Sequence, residues 1–159
     1  RYYDMEVQHV KPHGSLYMVA ARDEEISRAI IEAIQRVDPG LLLFCMQASV
    51  TYEVAQRMDQ PVAAEFYADR AYNDEGQIVF TRAVTEELDP EEVGDRVVRA
   101  VTEGKVTTES GKDIEVTSDS VCVHGDTPGA VGLAEAIARK LRENDIEIRP
   151  LGRAQQRIS

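Results

Sequence analysis

All three histidines of the chain stand where an extended segment gives out. His9 and His13 flank Lys11 in Val7-Gln8-His9-Val10-Lys11-Pro12-His13-Gly14, and His124 follows Val121-Cys122-Val123 and precedes Gly125, Asp126 and Thr127. Imidazole titrates closest to neutrality, and a carboxylate beside it orients the ring, so such residues can pass a proton next to a bound anion. Two imidazoles flanking an ammonium repel one another when all are charged. His9, Lys11 and His13, on one face by the period of two, therefore make most sense around an anion or a shared proton. The plainer alternative is the polar outer face of an edge strand. A third group, Glu65, Asp69, Arg70 and Tyr72, stands at and just after the end of the run Pro61–Phe66. Here too plain roles compete: a Glu65–Arg70 ion pair tying down a loop, Asp69 as an N-cap or turn residue, Tyr72 as a core ring with its hydroxyl at the rim.

These groups must be held by elements that bring strand ends together. After the first strand, Asp23-Glu24-Glu25 opens a helix whose apolar positions run from Ile26 to Val37, and Asp38-Pro39-Gly40 closes it. Leu41–Cys45 reads as a buried strand, Ser49–Met58 as a helix and Pro61–Phe66 as a third strand. Strand alternating with helix winds a parallel sheet, whose carboxyl ends share one edge. Asn73–Gly76 is a turn, Ile78–Phe80 a short extended piece, Asp89-Pro90-Glu91-Glu92 the start of a helix through Val101, and Lys105–Val116 a hairpin around Ser110-Gly111. Val121–Val123 is the last strand. Thr127 as N-cap and Pro128 at the first helical position lead into a helix from Ala130 to Leu141, at whose start free N–H groups attract a carboxylate or phosphate. If the three groups face one cleft, their convergence argues for an enzyme.

Charge and composition narrow the choice. The net charge of −11 argues against nucleic acid, since phosphates require clustered Lys and Arg. No apolar run reaches membrane-spanning length and no signal peptide opens the chain, so a cytoplasmic location is expected. Cys45 and Cys122 sit inside apolar strands, as small hydrophobes rather than a disulfide or metal pair. No Gly-rich phosphate loop ending in Lys-Ser or Lys-Thr occurs.

His9-Val10-Lys11-Pro12-His13-Gly14-Ser15-Leu16-Tyr17, Ala68-Asp69-Arg70-Ala71-Tyr72 and Val121-Cys122-Val123-His124-Gly125-Asp126-Thr127-Pro128-Gly129 resemble, in order and spacing, three signatures of the LamB/YcsF family, the A subunits of 5-oxoprolinase. The resemblance runs from about Val7 to about Ile148. Family members usually begin with an Asp-Leu-Asn-rich strand and a Cys-Gly-Phe-His-Ala-Gly-Asp motif, neither of which is present. The resemblance therefore implies that this chain, opening on Arg1, is the carboxyl-terminal part of such a protein. It implies an α/β fold of the distorted, seven-stranded β/α-barrel type, with residues 1–149 a partial catalytic barrel domain and 150–159 a polar tail.

The activity it implies is ATP-dependent opening of the lactam 5-oxo-L-proline to L-glutamate, carried out with subunits B and C, with ATP and Mg but no tightly bound metal. On that reading His13 or His124 takes a proton from water, Asp126 orients the neighbouring imidazole or acts as base, and Lys11 offers a point charge to a phosphoryl or oxyanion. Arg70 clamps the substrate carboxylate, with Asp69, Tyr72, Glu65, His9 and Thr127 completing the substrate site. With no phosphate loop, nucleotide must be held by a further segment or by a partner. Two rivals stand beside this reading: metal-assisted hydrolysis or deacetylation through His13, His124 and Asp126, and a non-catalytic subunit that binds a carboxylate or scaffolds partners.

Overall fold

The computed structural model describes residues 6–79 and 87–152. It holds two compact units, Arg1–Ala64 with Leu151–Ser159, and Glu65–Pro150.

The first unit contains β1 (His9–Val10), α1 (Gly14–Ala20), α2 (Glu24–Val37), β2 (Leu42–Cys45), α3 (Val50–Arg57) and the beginning of β3 (Val62–Tyr67). β1 lies parallel to β2 with His9 opposite Leu42, and β2 parallel to β3 with Leu43 opposite Val62. Side chains along β2 alternate between two apolar layers, as a parallel strand covered on both faces requires. Leu43 and Cys45 join Ile31, Ile34, Leu41, Val54 and Ala55, while Leu42 and Phe44 pack with Ala63 and Leu151. Each fully buried Ile, Leu or Val among them stabilises the unit by about 1.5–3 kcal/mol. The helices enter this layer at defined points because Asp23 accepts from the Ile26 N–H at 2.9 Å and Ser49 from that of Tyr52 at 3.1 Å. Caps of this kind contribute about 1 kcal/mol.

The second unit begins inside β3 and continues through α4 (Pro90–Thr102), the antiparallel pair β4 (Lys105–Thr107) and β5 (Asp113–Glu115), β6 (Ser120–Cys122) and α5 (Ala130–Glu143). β6 runs parallel to β3, Glu65 opposite Ser120 and Tyr67 opposite Cys122. α4 and α5 bury Val93, Val97 and Ala100 on one side and Leu133, Ala136 and Ile137 on the other. Gly94 lets them approach: a β-carbon there would stand 2.8 Å from the Lys140 Cγ. Asp89 caps α4 and Pro90 fills its first position, as the sequence predicts.

Three local expectations change. The first strand is confined to His9–Val10, Met5 lying outside the described residues, because Pro12 cannot extend the ladder. Gly14, at φ +57°, then turns the chain into α1, a helix that the strand-like pattern concealed. Thr127 is not the cap of α5. That place belongs to Gly129 in the left-handed conformation at φ +73°, since the Thr127 hydroxyl is engaged elsewhere. Of the extended piece Ile78–Phe80, Ile78 bridges Tyr72 and Phe80 lies outside the described residues, as does most of the polar tail, residues 153–159. Among the described residues no helix is long and apolar enough to cross a membrane.

Candidate functional site

The second unit concentrates its chemistry at the ends of β3 and β6. β3 runs through Glu65, Phe66 and Tyr67 into a turn at 68–70, and β6 releases the chain at Cys122, so Asp69 and His124 leave neighbouring parallel strands on the same side. The Asp69 carboxylate is fully buried. It accepts from the His124 backbone N–H at 2.9 Å, from the Thr127 hydroxyl at 2.6 Å and from Arg70 Nη1 at 3.0 Å. The His124 ring lies against it, Nδ1 at 2.9 Å from Oδ1 and 3.2 Å from Oδ2.

Burial alone pushes the Asp69 carboxyl up, but the bonds from Thr127, the His124 backbone and the His124 ring outweigh it and hold the group below its ordinary value. Asp69 is therefore an anion, and an anion facing Nδ1 fixes the proton on that nitrogen. Nε2 becomes the basic nitrogen. Its ring is 29% exposed, and among the described residues Nε2 has no hydrogen-bond partner. The other face of the imidazole stacks on Tyr67 at 5.8 Å, and the Tyr67 hydroxyl donates to Glu65 at 2.8 Å. A buried carboxylate, an imidazole held in one tautomer and an outward nitrogen are the arrangement that a general base requires.

Several expected residues take other parts. The carboxylate that orients His124 is Asp69, not Asp126; the Asp126 side chain is 84% exposed and meets Arg70 Nη2 at 3.8 Å. Arg70, 10% exposed, does not pair with Glu65 as the plain reading had it. Its Nη1 binds the Asp69 carbonyl at 2.9 Å and Thr127 Oγ1 at 3.0 Å besides the carboxylate, while Nη2 faces the exposed Asp126 carboxylate. Thr127 is buried between Asp69 and Arg70, donating to one and accepting from the other. Tyr72 is a core ring, stacked on Phe66 at 5.5 Å, whose hydroxyl accepts the Tyr67 N–H at 2.8 Å; burial drives its pKa upward.

In the first unit, His9 stacks on Phe44 with ring centroids 4.2 Å apart and its Nδ1 lies 3.3 Å from Gln8 Oε1. Lys11 is half-buried. His13 is exposed in extended backbone at the start of α1, where its side chain makes no capping bond. Among the described residues no three His, Cys, Asp or Glu side chains are grouped to hold a metal ion.

The whole pattern of residues, not the site alone, matches the LamB/YcsF family over residues 1–156. The chain belongs to that family. It is 49% identical over 145 residues to a 5-oxoprolinase A subunit of Pseudomonas aeruginosa, covering 91% of the chain and 57% of that relative. To a 5-oxoprolinase A subunit of Pseudomonas syringae it is 53% identical over 143 residues, with 90% and 57% covered. A crystal structure of a lactam utilization protein from Thermus thermophilus superposes with a TM-score of 0.84 at 36% identity, over 92% of this chain and 59% of that one. The chain thus spans somewhat over half the length of these relatives.

The family signatures contain Asp69, Arg70, His124 and Thr127 but not two residues that support them. Tyr67 reads in the sequence as an ordinary strand aromatic, and Arg96 as one more charge on α4. The signal for Arg96 was its place among Val93, Val97 and Ala100, the buried stripe of that helix. A cation at the edge of an apolar stripe is one with a partner to reach.

Proposed function

We propose that this chain is part of an ATP-dependent 5-oxoprolinase and that its Asp69–His124 pair takes the proton of the water that opens the lactam. The observation that carries the reading is the buried Asp69 carboxylate against His124 Nδ1, in a family whose named relatives are A subunits of 5-oxoprolinase. Subunits B and C are the proposed partners, and a partial, distorted seven-stranded barrel is the proposed setting.

An unstrained amide resists water at neutral pH. ATP, with Mg, supplies a phosphoryl group to the lactam oxygen, which makes the carbonyl carbon electrophilic. As water attacks that carbon, His124 Nε2 accepts its proton, the Asp69 carboxylate stabilises the imidazolium, and the proton passes to the ring nitrogen as the C–N bond breaks. The C–N break leaves a γ-glutamyl phosphate, and a second water hydrolyses that acyl phosphate to glutamate and inorganic phosphate. The Nη2 side of Arg70 is assigned to the substrate carboxylate and Asp126 to the same guanidinium. Parts for Lys11, His9 and His13 rest on the family motif alone.

The test is glutamate release from 5-oxo-L-proline with ATP and subunits B and C, comparing this chain, a chain carrying the rest of a relative's length, and the His124→Ala variant of the latter. Activity in the longer form that the variant loses supports the reading. Activity that survives His124→Ala removes the proposed base.

A further inference from the structure

Arg96 departs from the other charges of α4. Arg99, one turn on, lies in exposed pairs with Glu103 and Asp113, whereas Arg96 turns inward. Its Nη1 donates to the Ala68 carbonyl at 2.9 Å and its Nη2 to the Arg70 carbonyl at 2.6 Å, so one planar fork grips the carbonyls of the residues on either side of Asp69. The guanidinium also lies over the stacked rings of Phe66 and Tyr72, 5.4 and 5.5 Å from their centroids. Burial draws its pKa down, the mark of a charge held out of water, and the two carbonyls and two ring faces are what offset that cost.

A buried cation need not be placed there for stability alone, since an apolar residue would fill the same space without desolvation. What the fork does that an apolar residue cannot is fix a backbone. Besides the Ala68 N–H on the Cys122 carbonyl and Arg70 Nη1 on the Asp69 carbonyl, the turn at 68–70 is held through the side chain of Asp69 itself, and that side chain must stay aimed at His124. We infer that Arg96 is a positioning residue for the Asp69–His124 pair: by holding the carbonyls that bracket Asp69, it sets the geometry from which the carboxylate meets the imidazole. The inference rests on the proposed reading only in taking that pair as the reactive group.

The experiment uses the full chain and two readouts. The first is the low-field proton resonance of His124 Nδ1–H, recorded without substrate. The second is the split between kcat and KM for 5-oxo-L-proline in the complex with subunits B and C. Arg96→Lys and Arg96→Gln, which cannot bridge both carbonyls as a charged fork, are expected to lose the resonance. They should also lower kcat by about 10- to 100-fold with KM within about twofold, as displacement of a supporting residue does. Arg99→Gln, on the same helix, is expected to lower the melting temperature and keep the resonance. Retention of the resonance in a folded Arg96→Lys overturns the inference, as does its equal loss in Arg99→Gln. If both Arg96 variants fail to fold, the wild-type chain decides: slow exchange of the Arg96 Nη protons supports the grip and fast exchange refutes it. Absence of lactam opening in the wild-type complex would sink the proposed reaction while leaving the resonance test standing.

Discussion

Each unit places a histidine just beyond the end of a parallel strand, and the two units treat that histidine differently. In the first, β1 ends at Val10 and His13 stands exposed at the start of α1 with its side chain making no capping bond, while His9 leans on Phe44. In the second, β6 ends at Cys122 and His124 meets a buried carboxylate, a stacked tyrosine and a hydroxyl network. An imidazole becomes a defined base through its neighbours. The second strand end has those neighbours because β3 beside it runs on into a turn that delivers Asp69.

This contrast can be broken at its strongest point first. Asp69→Asn removes the anion that fixes the His124 tautomer, and lactam opening in the complex with subunits B and C should fall by about 10³-fold or more. The same change leaves Thr127, Arg70 and the His124 N–H short of a charged acceptor, so urea unfolding should show a loss of about 2–3 kcal/mol. Thr127→Val should cost less, about 1–2 kcal/mol, by deleting one donor to Asp69 and one acceptor for Arg70. Acid titration sharpens the comparison further. Because folding lowers the Asp69 pKa from 3.8, its stabilisation is complete above that value and is lost as pH falls through the depressed folded value. Thermal unfolding followed from about pH 5 to about pH 2.5 should therefore show a steeper decline for wild type than for Asp69→Asn. The smallest effect belongs to the first unit: His13→Ala should alter unfolding free energy by no more than about 0.5 kcal/mol, as an exposed side chain without a capping bond.

The sequence made the elements legible where local chemistry was explicit. Asp23, Ser49 and Asp89 stand at real helix starts, and the hairpin around Ser110-Gly111 closes with Val106 opposite Ile114. It was less informative where one residue has two possible partners. Thr127 followed by Pro128 has the pattern of a helix cap, yet its hydroxyl reaches Asp69, a bond whose strength comes from a charge that only the folded chain brings near. Asp126 lies two positions from His124 in sequence and was the natural choice to orient it, but the carboxylate that does so arrives from the neighbouring strand end. For Arg96 the sequence offered only its place beside the apolar stripe of α4, not its partners, because those are backbone carbonyls, which every sequence has everywhere.

The bond between Thr127 and Asp69 joins residues 58 positions apart, and that between His124 and Asp69 residues 55 apart. Between them the chain must complete α4 and a hairpin before β6 can lie on β3. Contacts closed over such a loop form late, after shorter-range structure has compensated for the lost chain entropy. The imidazole proposed as the base accordingly gains its fixed tautomer only when β6 docks on β3, so assembly of the pair and completion of this unit's folding are one event.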